Sequence, residues 1–406
     1  MISRAIVVLP VVLALALVGM ERNWAAKWLD KLLGCLPPAD LSFQYLQQHA
    51  MWRCDFDGVD SFSNYSSLAL EALTRAIAVD RPPLTPLGRW TLHESLISTL
   101  CMQLQLRKME LARPDIFAQT QVRQVVFVAG APYTGVQELM RALCERNASL
   151  TCVTLAEALE PLAPVYLASR FFLGPLDIRF WKALAWTTAL GRQFLPNDPP
   201  SPTSCSEHSL LEAAFFGSRV FFSALPLPTY ERWFRENTHQ LQLELEVKKL
   251  LQVIQHERGD RSGKVWVLPQ HHLHHTPAKQ LVYPEARFVL TKRNAAEAVA
   301  EQVATAASAM QALCHPVANH QAHAKIIADH HAWSSDTALQ ADAVVYYEDL
   351  FPRNEAKFPS LCLESLEMLG KYAGPTCATN GSKQFPAFAK ASAAATTTAA
   401  GAAHRS

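Results

Sequence analysis

Two strand–turn–helix units constrain the fold of this chain most. A strand is predicted at residues 124–129, where Val125–Ala129 form an uninterrupted apolar run that leads into the glycine-bearing turn Gly130–Gly135 and then into a helical pattern. A second strand is predicted at residues 287–291 around the apolar run Phe288–Leu290; it ends near Arg293, and a helical pattern begins at Ala295. Uninterrupted apolar runs are typical of strands buried on both faces of a parallel sheet. The sequence therefore predicts an α/β fold, a P-loop-type parallel sheet flanked by helices.

Other segments fit the same alternation. Further strands are predicted at 264–268 and 343–347, and helices at 206–222, 240–255 and 355–372. The predicted organisation is an N-terminal helical segment (21–120), one α/β domain (121–375) with a helical insert between its first two major strands, and an Ala/Thr-rich tail (386–406). Such a tail has too few apolar side chains to order itself, so it is predicted to be disordered.

Composition excludes some functional classes. The net charge of +1 gives no reason to expect a nucleic-acid partner. Nine cysteines are spread without CxxC spacing, so neither a zinc site nor a small disulfide scaffold is indicated. One or two disulfides remain open for a secreted chain.

The N-terminus carries an uncharged apolar run from Ala5 to Met20. This length suits the core of a signal peptide, and a short signal anchor is the competing interpretation. Either route leads to the secretory pathway, as a Golgi or other endomembrane protein or a secreted one, with contact to the membrane through residues 1–20. Three N-x-S triplets, at Asn64, Asn147 and Asn380, agree with a luminal location.

The Gly130–Gly135 turn and Arg293 suggest an anion-binding site. A strand, a glycine-bearing turn and a helix N-terminus direct several backbone N–H groups to one point. An arginine at the mouth of a neighbouring strand is well placed to hold a phosphate. The turn lacks the Gly-Lys-Ser/Thr ending of a Walker loop, and a plain βα turn remains the structural alternative.

Six landmarks in order resemble the sulfotransferase family that uses 3′-phosphoadenosine 5′-phosphosulfate, in its divergent bacterial-type and algal-type branch. The similar segments are Thr85–Arg89, Ala129–Gln137, Thr229–Trp233, Trp266–Leu273, Tyr283–Asn294 and Val345–Leu350. The resemblance covers about residues 50 to 372 and implies that the nucleotide is the cofactor. It also implies the donor-binding residues Gly130, Pro132, Tyr133, Thr134, Gly135, Arg293 and Glu301.

Departures from the family pattern fall on that donor site. Tyr133 stands where the family carries a basic residue, and Glu301 stands where it carries a serine beside the arginine of the 3′-phosphate. Pro269 and Gln270 stand near the position of a second basic residue, and a carboxylate at 301 repels a phosphate. The donor loop is therefore degenerate in sequence. Three lysines, at 264, 279 and 292, are nearby in sequence and are candidates to compensate.

The catalytic candidates are His272, Glu207 and His208. Histidine can accept the proton of an acceptor hydroxyl, and His272 matches a histidine of the family motif. The other two lie where related enzymes carry an acidic residue near the acceptor. The histidine pairs 271/275 and 320/323 have chelating spacings, but no HExxH is present and no metal site is predicted.

The leading hypothesis is a sulfotransferase-like enzyme acting on a hydroxyl or amine of a carbohydrate, lipid or small metabolite. The alternative is a catalytically inactive relative that keeps the fold for binding or scaffolding, favoured by Tyr133 and Glu301. A kinase would need a loop lysine and Mg²⁺-binding carboxylates, for which the sequence offers no candidates.

Overall fold

The computed structural model describes residue 34 and residues 38–56, 62–162, 205, 208–259, 264–315, 320–335 and 341–350. Within them, one sheet has the strands β1 (Val125–Ala129), β2 (Leu150–Thr151), β3 (Val265–Gln270), β4 (Arg287–Lys292) and β5 (Ala343–Tyr346). The strand order is β2-β3-β1-β4-β5, and every neighbouring pair is parallel. The predicted α/β class with a parallel sheet is confirmed.

Helices surround this sheet. Before β1 come α1 (Phe43–Arg53), α2 (Asn64–Asp80), α3 (Pro86–Ala112) and α4 (Pro114–Gln119). Between β1 and β3 come α5 (Val136–Arg146), α6 (Leu155–Leu159), α7 (His208–Ala213), α8 (Val220–Ala224), α9 (Pro228–Glu236) and α10 (Gln240–Glu257). After β3 come a 3-10 turn (Leu273–His275), α11 (Thr276–Val282), α12 (Ala295–Leu313), α13 (His320–Ser335) and α14 (Tyr347–Leu350).

The central strand β1 separates two apolar layers. Its Phe127 lies opposite Leu268 of β3 and Phe288 of β4, and these three side chains belong to the large core that includes the N-terminal helices. Its Val126 and Val128 point to the other face and pack in a second core with α5. Side chains alternate across a strand, so one apolar run fills both cores. Burying each such side chain contributes about 1.5–3 kcal/mol.

Parallel strands place their carboxyl ends at one edge of the sheet. The turn after β1, the end of β3 and the end of β4 therefore meet, since β1 pairs with both neighbours in register. In open α/β sheets this edge is where ligands bind.

One sequence prediction fails within the insert. Residues 208–222 do not form one helix, because α7 ends before Phe216, which adopts a left-handed conformation with φ of 61°. The buried hydroxyl of Tyr230 donates a hydrogen bond to the Phe216 carbonyl, which fixes this break. Helices seldom continue through a left-handed residue.

Two disulfides link described elements. Cys54 joins α1 to Cys101 in α3, and Cys144 in α5 joins Cys152 after β2. The apolar run 5–20, the predicted helix 355–372 and the tail 386–406 lie outside the described residues. Among the helices that are described, none has both the length and the apolar character needed to cross a bilayer.

Candidate functional site

The turn between β1 and α5 has the backbone of an anion-binding loop. Tyr133 and Gly135 both have positive φ, of 65° and 95°. Gly135 is the N-cap of α5 and supplies no side-chain cap, so the helix N-terminus is left without a side-chain acceptor. Uncapped N–H groups and the helix dipole together favour an anion at this position. A tyrosine in the left-handed region costs of order 1–3 kcal/mol, strain that is typical of functional turns.

The base of the turn is tightly packed, which explains the glycine at 130. A Cβ atom there would lie less than 3.0 Å from the Oγ1 atoms of Thr134 and Thr291. The Gly130 N–H donates to the Gln270 carbonyl at 2.9 Å, which ties the turn to the end of β3.

Thr134 faces inward. Its hydroxyl donates to the Ala131 carbonyl at 2.7 Å and lies 2.8 Å from the hydroxyl of Thr291 in β4. The side chain is 4% exposed. In this conformation Thr134 shapes the turn, and Pro132 is likewise buried. Both residues were expected to bind the nucleotide, and the structure buries them beneath the backbone of the turn.

Arg293 follows the end of β4 and reaches the same turn. Its Nη1 atom donates to the Tyr133 carbonyl at 3.1 Å, and its guanidinium lies over the Tyr347 ring at 4.0 Å. The structure therefore brings together two elements that lie about 160 residues apart in sequence. This is the juxtaposition that the two strand–turn–helix units predicted.

Two carboxylates also lie close to the guanidinium of Arg293. Nη1 of Arg293 lies 2.6 Å from Oε2 of Glu301, and its Nε lies 3.6 Å from Oε2 of Glu297. Although burial disfavours its charge, the hydrogen bond to Glu301 raises the pKa of Arg293 above its ordinary value. The arginine side chain is 12% exposed and Glu301 is 50% exposed. A phosphate that approaches Arg293 must displace this carboxylate or lie beside it.

The three lysines that sequence proximity suggested are placed very differently. Lys279 is fully buried and forms ion pairs with Glu244 and Glu212. Lys264 precedes β3, so it lies at the opposite edge of the sheet, roughly 20 Å from the turn at about 3.3 Å per residue. Lys292 is the last residue of β4 and is exposed, and it lies at the edge that carries the turn.

Of the catalytic candidates, His272 lies in an aromatic cluster behind the turn. Its ring is 2% exposed and packs 4.9 Å from Phe234, 5.1 Å from His275 and 5.2 Å from His330. Neither of its ring nitrogens has a hydrogen-bond partner among the described residues. Burial lowers the pKa of His272 well below its ordinary value, so the ring is neutral near pH 7.

The neighbouring His271 contacts the turn itself. Its Nδ1 atom lies 3.3 Å from the Gly130 carbonyl. Because a carbonyl only accepts, Nδ1 carries the proton in this contact and Nε2 is the nitrogen with the lone pair. The sequence alone offers no signal for this contact, because it follows from the register of β1 and β3, in which Ala129 pairs with Gln270. Glu207 lies outside the described residues, and His208 begins α7.

The histidine pairs 271/275 and 320/323 have the spacing of metal chelators in sequence, but their described side chains make other contacts. His271 turns to Gly130, while His275 packs against Phe234 in the aromatic cluster. Nε2 of His323 lies 3.0 Å from the Phe222 carbonyl. Nδ1 of His330 lies 3.4 Å from Glu231, a contact that the sequence did not predict because α13 meets α9 only in the fold.

Two solved structures are similar to this chain. Sulfotransferase STF1 from Mycobacterium tuberculosis superposes with a TM-score of 0.63, 19% identity, and coverage of 81% of this chain and 89% of that chain. Sulfotransferase STF9 from Mycobacterium avium gives a TM-score of 0.67, 17% identity, and coverage of 84% and 86%. No family model and no curated protein matches the sequence. The chain therefore has a sulfotransferase-like fold over most of its length.

The residues present fit a phosphorylated nucleotide in part. The backbone of the turn and the N-terminus of α5 suit a phosphate or phosphosulfate group. Arg293 suits a second anionic group, but Glu301 occupies its Nη1 atom. No basic side chain lies within Gly130–Gly135 itself.

Proposed function

We propose that this chain is a sulfotransferase that binds 3′-phosphoadenosine 5′-phosphosulfate at the turn between β1 and α5. The acceptor in this proposal is a hydroxyl or amine of a carbohydrate, lipid or small metabolite. The observation that carries it is the contact of Arg293 with the Tyr133 carbonyl, which sets a guanidinium beside an uncapped helix N-terminus. The fold similarity to two sulfotransferases supports the same function.

The proposed division of roles follows the geometry. The N–H groups at Gly135 and the first turn of α5 would hold the 5′-phosphosulfate, and Arg293 would hold the 3′-phosphate. When bound, the nucleotide supplies an activated sulfuryl group. Lys292 is exposed at the same edge of the sheet, and in this proposal it adds positive charge. Charge on the leaving group grows in the transition state, so cations and aligned N–H groups accelerate transfer.

The proposed reaction also needs a base that takes the proton of the acceptor. His272 is our first candidate because it is neutral near pH 7, as a base must be. Its low pKa and its burial weaken that role. His271 is the second candidate, because its ring is held against the turn by Gly130. Replacing each by alanine, with turnover measured at saturating donor, assigns the role to the residue whose loss lowers kcat.

A second function is favoured by one specific observation. Glu301 holds Arg293 at 2.6 Å, and the turn carries no basic residue of its own. These features would suit a non-catalytic protein that keeps the fold as a binding or scaffolding module. Nucleotide binding distinguishes the two functions.

The test is calorimetric titration of the full chain with 3′-phosphoadenosine 5′-phosphate. Arg293→Ala removes the proposed phosphate contact. Arg287→Ala is the matched control, because Arg287 begins the same strand at its opposite end and pairs with Asp342 at the surface. The proposal expects micromolar binding that is lost in Arg293→Ala and kept in Arg287→Ala. Folded protein that binds nothing at millimolar nucleotide would exclude the enzyme and leave the scaffold.

A further inference from the structure

Three cysteine sulfurs lie together away from the β1–α5 turn. Cys144 lies in the last turn of α5, Cys152 follows β2, and Cys205 is held by an antiparallel bridge to Thr154. Their Sγ atoms all lie within 4.8 Å of one another. Cys144 and Cys152 form a disulfide, and Cys205 is a half-buried free thiol. Among the residues that the structure describes, no other three potential metal ligands are so close.

The separation of the sulfurs suits a thiophilic cation. Zinc binds thiolates at about 2.3 Å in tetrahedral geometry, which sets its sulfur ligands roughly 3.8 Å apart. Three sulfurs within 4.8 Å need only small side-chain rotations to reach that spacing once the disulfide is opened. We propose that Cys144, Cys152 and Cys205 form a three-thiolate site for Zn²⁺ or a similar thiophilic cation, with the fourth position left to water. The disulfide form is the closed state of this site.

The backbone around the sulfurs is held firmly. Arg258 donates to the Cys152 carbonyl at 2.8 Å and to Oγ1 of Thr151 at 2.6 Å. The same guanidinium pairs with the buried Glu157, whose carboxylate accepts from the N–H of Thr154. Thr154 is the bridge partner of Cys205, so one network orders both segments. Such outer contacts orient metal ligands and raise affinity.

The charges near the sulfurs are mixed. Arg141 and Arg258 act electrostatically on Cys205, and Glu145 acts on it with the opposite sign. Three thiolates and one Zn²⁺ carry a net charge of −1, which the two arginines partly offset.

Opening the site is a two-electron reduction. A dithiol or phosphine reductant gives two electrons to the Cys144–Cys152 bond, and both sulfurs take up a proton from solvent. Binding of Zn²⁺ then releases the three thiol protons to solvent. In an oxidising compartment the disulfide persists and the site stays closed. The proposal is independent of the nucleotide site.

The test is titration of the reduced full chain with Co²⁺, whose charge-transfer absorption reports sulfur ligation. We expect one tight Co²⁺ per chain, displaced by Zn²⁺. Loss of an outer contact typically costs 10–100-fold in affinity, so loss of a ligand in Cys205→Ser should cost more than about 100-fold. Cys314→Ser is the matched control, since Cys314 is also a free cysteine but lies outside the group.

A second readout guards against misfolding. Zn²⁺ should slow alkylation of Cys144 and Cys152 in the reduced wild type and in Cys314→Ser, but not in Cys205→Ser. Circular dichroism checks that each reduced variant is folded. Absence of a cobalt–sulfur band in folded, reduced wild type overturns the proposal, and so does a band that survives in Cys205→Ser.

Discussion

The substitution Glu301→Ser tests how strongly one carboxylate limits nucleotide binding. Glu301 lies 2.6 Å from the guanidinium that would hold a phosphate, so its carboxylate and a bound phosphate would share that guanidinium. At a separation of about 4 Å, two unit charges repel by about 1 kcal/mol in bulk water and about 4 kcal/mol near a protein surface. Because Glu301 is 50% exposed, the cost lies between these limits. Removing it should tighten binding by roughly 5- to 1,000-fold.

The assay is calorimetric titration with 3′-phosphoadenosine 5′-phosphate at two salt concentrations. Glu301→Gln separates charge from shape, and it should give most of the gain of Glu301→Ser. Glu297→Gln is the matched control, since Glu297 is 63% exposed, lies 3.6 Å from Arg293 and should change affinity by less than about 1 kcal/mol. Equal affinity of Glu301→Ser and wild type, with both binding, would refute the electrostatic reasoning.

Three further predictions concern stability. Gly130→Ala places a Cβ atom against the Thr291 hydroxyl, so urea unfolding should show a loss of about 1–3 kcal/mol; an unchanged midpoint would mean that the turn yields. Arg258→Ala leaves buried Glu157 unpaired and should cost about 3–5 kcal/mol at pH 7. Although burial opposes it, Arg258 lowers the pKa of Glu157, so this stabilisation is fully present above about pH 4 and decreases as the pH falls further. A cost that does not decrease at all as the pH is lowered below about 4 contradicts the pairing. Burial lowers the pKa of His275 to about 3, so only the unfolded chain binds a proton at His275 as the pH falls below about 6.5. The free energy of unfolding of the wild type should therefore fall by up to about 2 kcal/mol by about pH 5, and that of His275→Phe should not show this loss. Identical pH profiles of the two proteins would contradict this.

The strands were predictable because consecutive apolar residues indicate a strand that is buried on both of its faces. Residues 125–129 and 288–290 are apolar without interruption, and the strands predicted at 124–129 and 287–291 agree with β1 and β4 within one residue. The two-residue strand β2 was not predicted, since Leu150 and Thr151 have no pattern of their own and pair only because β3 lies beside them. Local pattern determines long strands, and tertiary contact determines short ones.

The site was predictable in its elements but not in its contacts. Two strand ends pointed to the Gly130–Gly135 turn and Arg293 as neighbours, which the fold brings together. The inward rotation of Thr134 depends on Thr291, a residue from another strand. The burial of Lys279 depends on Glu244 of α10. Side-chain partners across elements leave no periodic signal in the sequence, so these contacts required the structure.

The central claim is that the turn after β1 and the end of β4 hold one nucleotide between them. Hydrogen–deuterium exchange of the full chain, with and without saturating 3′-phosphoadenosine 5′-phosphate, tests this most directly. Binding should slow exchange in residues 130–138 and 293–301 together, since N–H groups of both segments would become covered. Unchanged exchange in both segments, from folded protein, would contradict the claim.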